Sequence, residues 1–328
     1  MATPRTDCDG ALYNSMNFLF ATLEAVVILL GVGVIGFALV ARRVVPGAAL
    51  KALAPLALDV ALPCTIFSNI TRHFNPSLIP GWWRLPLWWV LFTAAAFLLT
   101  FLIRSLFRPA HHEEFAATLF YQNALFFPLV ILPRVCDENM PCLVYLFLFV
   151  LPFSAFFFKT APYFFKNSTP SNGWGHILNP AVIATLLAVA LRLFDLHTFV
   201  PEAAYGIIEL LGGMAIPLLM LVIGGNLYID FKQRRKLPVA EVISFVAAKN
   251  LIFPIVALAV LALLRPSYPL ALIILLQSAV PPITAMPLMA ERAGGDKTVV
   301  NQYLLAGFAA SIVTLPIMVG LLGLLYRG

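Results

Sequence analysis

Two stretches of the chain pair neutral hydrogen-bonding side chains with helix-breaking prolines. Gln122, Asn123 and Ala124 precede Pro128, while Gln277, Ser278 and Ala279 precede Pro281 and Pro282. Both stretches lie inside long apolar runs. A proline within a helix removes a backbone hydrogen bond and clashes with the preceding turn, at a cost of about 3 kcal/mol or more. Lipid offers no water to the freed groups, so each break must face protein or a wet cavity. Where the chain resumes beyond a break it presents amide N–H groups and the positive end of a helix dipole, which attract anions. Where the chain stops, its carbonyls suit cations or amide donors. The chemistry on offer is noncovalent: a small anion held by backbone dipoles and neutral amides. Its expected lining is Gln122, Asn123, Pro128, Gln277, Ser278, Pro281 and Pro282. Ordinary proline kinks with amides bridging helices are the alternative. Two breaks with amides at matching positions favour the site, and the second half-helices are expected to begin near Phe127 and Pro282.

Ionisable residues within apolar runs are costly and usually functional. Glu24, Asp59 and Lys249 are the candidates for charge or proton coupling. Lys249, beside Asn250, could neutralise a substrate carboxylate; the alternatives are a structural pair with Asp59 or an ammonium that snorkels to the interface. Asp59 stands a turn before Pro63 and reads as a protonatable group or a structural hydrogen-bonding one. Neither break carries an acid, which argues against a dedicated sodium site. Catalysis finds no constellation. The histidines, His73, His111, His112, His176 and His197, fall in loops or at run ends. His111, His112, Glu113 and Glu114 are consecutive and so do not face one way on a helix. There is no His-Glu-x-x-His motif and no phosphate-binding glycine loop. The expectation is no catalytic residue, no metal, no cofactor and no enzyme.

The elements that must position these residues follow from composition. Of 328 residues, 61% are hydrophobic and 11% charged, against roughly 45–50% apolar in a soluble domain. Ten apolar runs are read at 16–41, 49–70, 82–104, 113–134, 140–164, 176–194, 203–229, 239–264, 268–291 and 299–326. As helices most would cross a hydrocarbon core of roughly 30 Å. This predicts an all-α polytopic membrane protein with no extramembrane domain. The net charge of +6 is spread over nearly all the loops with no basic stripe, which excludes nucleic acid as a partner. Thirteen lysines and arginines, including Arg42, Arg43 and those from Lys232 to Lys236, fall in loops after odd-numbered runs, against seven on the other side. The positive-inside rule then puts both termini outside. Trp82, Trp83, Trp88 and Trp89 read as an interfacial belt. Cys136 and Cys142 share the outer side, and their spacing leaves both a bond and free thiols open.

A shift of about 155 residues lays Ala61, Leu62 and Pro63 on Ala215, Ile216 and Pro217, and Gln122, Asn123 and Ala124 on Gln277, Ser278 and Ala279. A common offset with five runs in each half implies duplication. Five is odd, so the second copy crosses in the opposite sense. The expected units are residues 1–166 and 167–328, two inverted five-helix repeats of the kind found in transporters.

The order of motifs resembles the auxin efflux carrier family, within the bile acid/auxin transporter-like superfamily. Asn179-Pro180, Pro217-Leu218 with Gly224-Gly225, Ala279-Val280-Pro281, Ala290-Glu291-Arg292, Gly295-Asp296 and Thr314-Leu315-Pro316 carry it, with Leu62-Pro63 and Phe67 matching more loosely. The resemblance implies broken, crossing helices 4 and 9 at the substrate site. It implies a scaffold of helices 1, 2, 6 and 7, a moving body of helices 3–5 and 8–10, and a homodimer in the lipid bilayer. A secondary transporter of a small organic anion, a carboxylate of auxin-like or dicarboxylate type, moving by an elevator form of alternating access, is the function it implies. Phe126 and Phe127 stand where the family usually has glycine after the asparagine, which leaves the substrate open. The short link between runs 5 and 6 points to a prokaryotic inner membrane. A sodium-coupled bile-acid-type symporter and a non-transporting lipid or metabolite sensor are the competing expectations.

Overall fold

The computed structural model describes residues 6–79, 81–136, 140–166, 179–231 and 239–327. The segment from Lys232 to Lys236 and His176 lie outside the described residues. Everything described is helix or connecting turn, and no strand occurs among the described residues. The helices are α1 (Thr6–Ala41), α2 (Gly47–His73), α3 (Trp82–Phe107), α4 (His112–Phe120), α5 (Phe126–Val135) and α6 (Cys142–Phe164). They continue with α7 (Pro180–Leu193), α8 (Glu202–Gly212), α9 (Ala215–Phe231), α10 (Val239–Leu264), α11 (Tyr268–Ala279), α12 (Met286–Arg292) and α13 (Lys297–Arg327).

Among the described residues, seven helices are long and apolar enough to cross a membrane: α1, α2, α3, α6, α8 with α9, α10 and α13. The remaining three runs yield shorter pieces for a local reason. Runs 113–134 and 268–291 are each interrupted near their prolines, leaving α4 with α5 and α11 with α12. In the third, α7 starts at Pro180 because the Asn179 side chain accepts the Val182 N–H at 3.0 Å, a helix cap with proline in the first turn.

Close helix packing comes from small residues, as is usual where lipid supplies no hydrophobic drive between helices. On α1, Gly33 and Gly36 meet α9. A side-chain carbon placed on Gly224 would lie 1.8 Å from the Gly33 carbonyl oxygen, and one on Gly36 would lie 2.3 Å from that of Leu221. Backbone cannot yield there as a side chain would. Gly224→Val is therefore expected to abolish the yield of monodisperse protein. Gly31→Val is the control, because nothing lies within 4 Å of that position. Size-exclusion profiles that match for the two variants would remove the packing argument.

Two spanning helices contain a π segment, Leu56–Ala61 in α2 and Ala247–Ile252 in α10. Each directly precedes a Leu-Pro or Phe-Pro pair, Leu62-Pro63 and Phe253-Pro254. Proline has no N–H and its ring crowds the carbonyl four residues back. The extra residue in the turn lets the N–H of Leu62 reach Ala57 O and that of Phe253 reach Ala248 O, five residues back. Asp59 and Lys249 sit in these two wide turns.

The tryptophans part company. Trp83 is exposed, but Trp89 is buried and meets Phe156 edge to face at 5.3 Å, so it belongs to the core and not to an interfacial belt. Its ring fills the space beside the interrupted run, where α3 packs on α4 and α6. Cys136 and Cys142 are joined in a disulfide that closes the turn between α5 and α6.

Candidate functional site

Helix α4 ends where Tyr121 turns extended, and α11 ends where Val280 does the same. The two extended stretches run antiparallel. Asn123 N–H donates to Pro281 O at 2.9 Å and Ile283 N–H donates to Tyr121 O at 3.0 Å, forming an isolated bridge between Gln122 and Pro282. This answers the question posed by the prolines. Backbone groups freed by one break are satisfied by the other.

The side chains tie the crossing further. Gln122 Nε2 donates to Gln277 Oε1 at 3.2 Å, and Gln277 Nε2 donates to Ala124 O at 2.8 Å. Gln277 thus uses both ends of its amide to hold the two segments. Asn123 Oδ1 accepts the Phe126 N–H at 3.1 Å and caps α5. Ser278 Oγ donates within its own helix, to Leu275 O at 2.7 Å. All four side chains are buried. Pro128 lies in the first turn of α5, where its missing N–H costs nothing. The first break matches expectation, with α5 starting at Phe126. The second does not: α12 begins at Met286 instead of near Pro282, because Pro282 is held in the bridge and Pro287 takes the first-turn position.

Four buried polar atoms on or beside the crossing lack a hydrogen-bond partner: Asn123 Nδ2, Thr118 Oγ1, Asn250 Oδ1 and Trp89 Nε1, the last in the wall of a small cavity that also touches Gln122. Buried polar groups are otherwise nearly always paired. Asn250 was not singled out by the sequence for the site, and the fold brings it there. Its Nδ2 donates to Gly307 O at 3.2 Å and lies 3.4 Å from Thr314 Oγ1, both on α13. A side-chain carbon on Gly307 would meet Pro282 Cδ at 3.1 Å and Asn250 Oδ1 at 3.8 Å. The sequence signal for this was an amide four residues before Pro254.

Lys249 is 1% exposed, with its ammonium 5.2 Å above the Phe253 ring. Phe253 packs in the same apolar cluster as Phe120, Tyr121 and Met286, at the lips of the crossing. Among the described residues no carboxylate lies within ion-pair distance of Lys249. The structural pair with Asp59 is not formed, and Asp59 is exposed on α2. Glu24 is exposed too and forms an ion pair with Arg134 at 2.7 Å, linking α1 to α5. The His-Glu cluster divides: Glu113 accepts the Lys166 N–H, Glu114 accepts the Asp296 N–H, and the His111 N–H donates to Glu241.

A cavity of about 10 Å³ touches the crossing, lined by Gln122, Tyr121, Trp89, Thr93 and aromatic rings of α3, α4 and α6. It has room for about one water. A larger cavity of about 310 Å³ lies apart, between α2 and α8–α9, among Thr65, Ser68, Asn69, Arg72, His73 and Glu209. There Arg72 is held by Glu202 at 2.7 Å and Glu209 at 3.0 Å.

A family model described as "Membrane transport protein" matches residues 21–156 and 153–319, nearly the whole chain and one stretch in each half. The chain belongs to this family. It is the auxin-efflux-carrier type of transporter that the order of motifs resembles. An uncharacterized transporter of Schizosaccharomyces pombe is 30% identical over 111 residues, which is 33% of this chain and 24% of that protein. The matched stretch thus spans about a quarter of that relative's length. The chain is an integral membrane protein of this family, and both of its broken helices lie within the matched stretches.

Proposed function

We propose that this transporter carries a small organic anion, a carboxylate, bound at the crossing of the α4–α5 and α11–α12 segments. The observations that carry the reading are the free Asn123 Nδ2 at the crossing and a buried Lys249 with no carboxylate within ion-pair distance among the described residues. A bound carboxylate supplies what both lack. Gln122, Gln277, Ser278, Pro128, Pro281 and Pro282 shape the frame, with Gln277 holding the two segments together. The cavity beside Gln122 has room for about one water, so anion binding requires its walls to part.

Movement follows an elevator form of alternating access in our reading. Ten crossings in two inverted repeats, residues 1–166 and 167–328, give a scaffold of α1, α2, α7 and α8–α9 and a moving body of the remaining helices. The Glu24–Arg134 pair then spans the two bodies and must open during the cycle. The protein works as a homodimer in a prokaryotic inner membrane with both termini outside. Neither break carries an acid, so sodium is not obligatory, and the exposed Asp59 leaves a route for proton coupling.

Counterflow of a panel of labelled carboxylates into proteoliposomes tests this. Flux is expected to persist when choline replaces sodium at constant pH. A strict sodium requirement would move the assignment to a bile-acid-type symporter, and binding without flux would make the protein a sensor.

A further inference from the structure

We infer that the crossing selects a carboxylate that carries a hydroxyl group, with Asn123 donating to the carboxylate and Asn250 accepting from the hydroxyl. This rests on the reading of the crossing as the anion site. The orientations of the two amides carry the argument. The Phe126 N–H, 3.1 Å from the Asn123 side chain, requires an oxygen there, so the free end of Asn123 is a donor. The Gly307 carbonyl, 3.2 Å from the Asn250 side chain, requires a nitrogen there, so the free end of Asn250 is an acceptor. Flipping either amide would set like against like.

Both residues flank the Pro281-Pro282 stretch of the crossing. Asn250 Oδ1 and Pro282 Cδ both border the space above Gly307, and Pro281 accepts the backbone N–H of Asn123. A plain carboxylate has only acceptors. It satisfies Asn123 and leaves the buried Asn250 oxygen unpaired, which a site built for hydrogen bonding penalises. The ligand therefore brings a donor. An ammonium group is disfavoured, because Lys249 is the adjacent residue and no carboxylate lies within ion-pair distance of it among the described residues to balance a second cation. A hydroxyl meets the requirement without adding charge.

The test uses matched acids on the purified full-length protein: 2-hydroxybutyrate against butyrate, and 2-hydroxyglutarate against glutarate, so that one or two carboxylates are both covered. Calorimetry is expected to show the hydroxy acid of at least one pair binding about tenfold tighter or more. 2-Methoxybutyrate, which keeps the oxygen but loses the donor, should bind no better than butyrate. Asn250→Ala should bring the ratio within a pair close to one. If that variant does not fold, the wild-type ratios and the methoxy acid decide alone. Equal affinity within both pairs overturns this inference and leaves the anion site standing, and equal binding of hydroxy and methoxy acids also overturns it. No binding of any of these acids overturns both readings.

Discussion

Asn123→Ala is expected to weaken carboxylate binding by roughly 10- to 150-fold. A buried hydrogen bond to a charged group contributes on the order of 1.5–3 kcal/mol, which converts to that range of affinity. The same change removes the oxygen that caps α5, at about 1 kcal/mol of stability. Asn123→Asp separates the two effects. Aspartate keeps an oxygen for the Phe126 N–H but replaces the donor with a negative charge, so the fold should hold while anion binding is lost. Gln277→Ala behaves differently, because both ends of that amide join the segments. It should lower the thermal midpoint as well as the affinity. Calorimetry on monodisperse detergent-purified variants reads these outcomes. Unchanged affinity in Asn123→Ala and Gln277→Ala would place the substrate away from the crossing.

Lys249→Met is expected to abolish measurable anion binding while the protein becomes no less stable. Removing one partner of a buried charge pair costs about 2–5 kcal/mol, or roughly 30- to several-thousand-fold in affinity. Within the fold, however, the lysine is a buried group without a carboxylate partner among the described residues. Burial of such a group is unfavourable, and an apolar side chain of similar length removes that cost. The combined result, a thermal midpoint that is held or raised together with lost binding, is the mark of a residue kept for function. A lower midpoint with affinity retained in the folded fraction would make Lys249 a structural residue. Thermal unfolding followed alongside calorimetry distinguishes the two.

The amino-acid sequence by itself determined that the chain lies in a membrane and where its helices break. Both properties are local. Run length and hydropathy follow from consecutive side chains, and proline disrupts a helix wherever it stands, so the breaks at Pro128 and at Pro281 and Pro282 were legible along with their amides. Glycines 33, 36 and 224 carried no such signal, since their requirement arises only when α1 and α9 approach backbone to backbone. Tertiary structure decided which group satisfies which. The carbonyl across from each freed amide depends on the antiparallel register of the two extended stretches, and that register delayed the start of α12 to Met286. It also committed both ends of Gln277 to holding the crossing and left one end of Asn123 free. The π turns shift side chains after residue 56 and after residue 247 away from the faces an unbroken helix would give them. Lys249 is buried over the Phe253 ring and Asn250 borders Pro282, whereas Asp59, equally central in the sequence, lies on an exposed face. A hydrogen bond is defined by two groups in space, so a sequence can supply the donors and acceptors while only the packed fold assigns their partners.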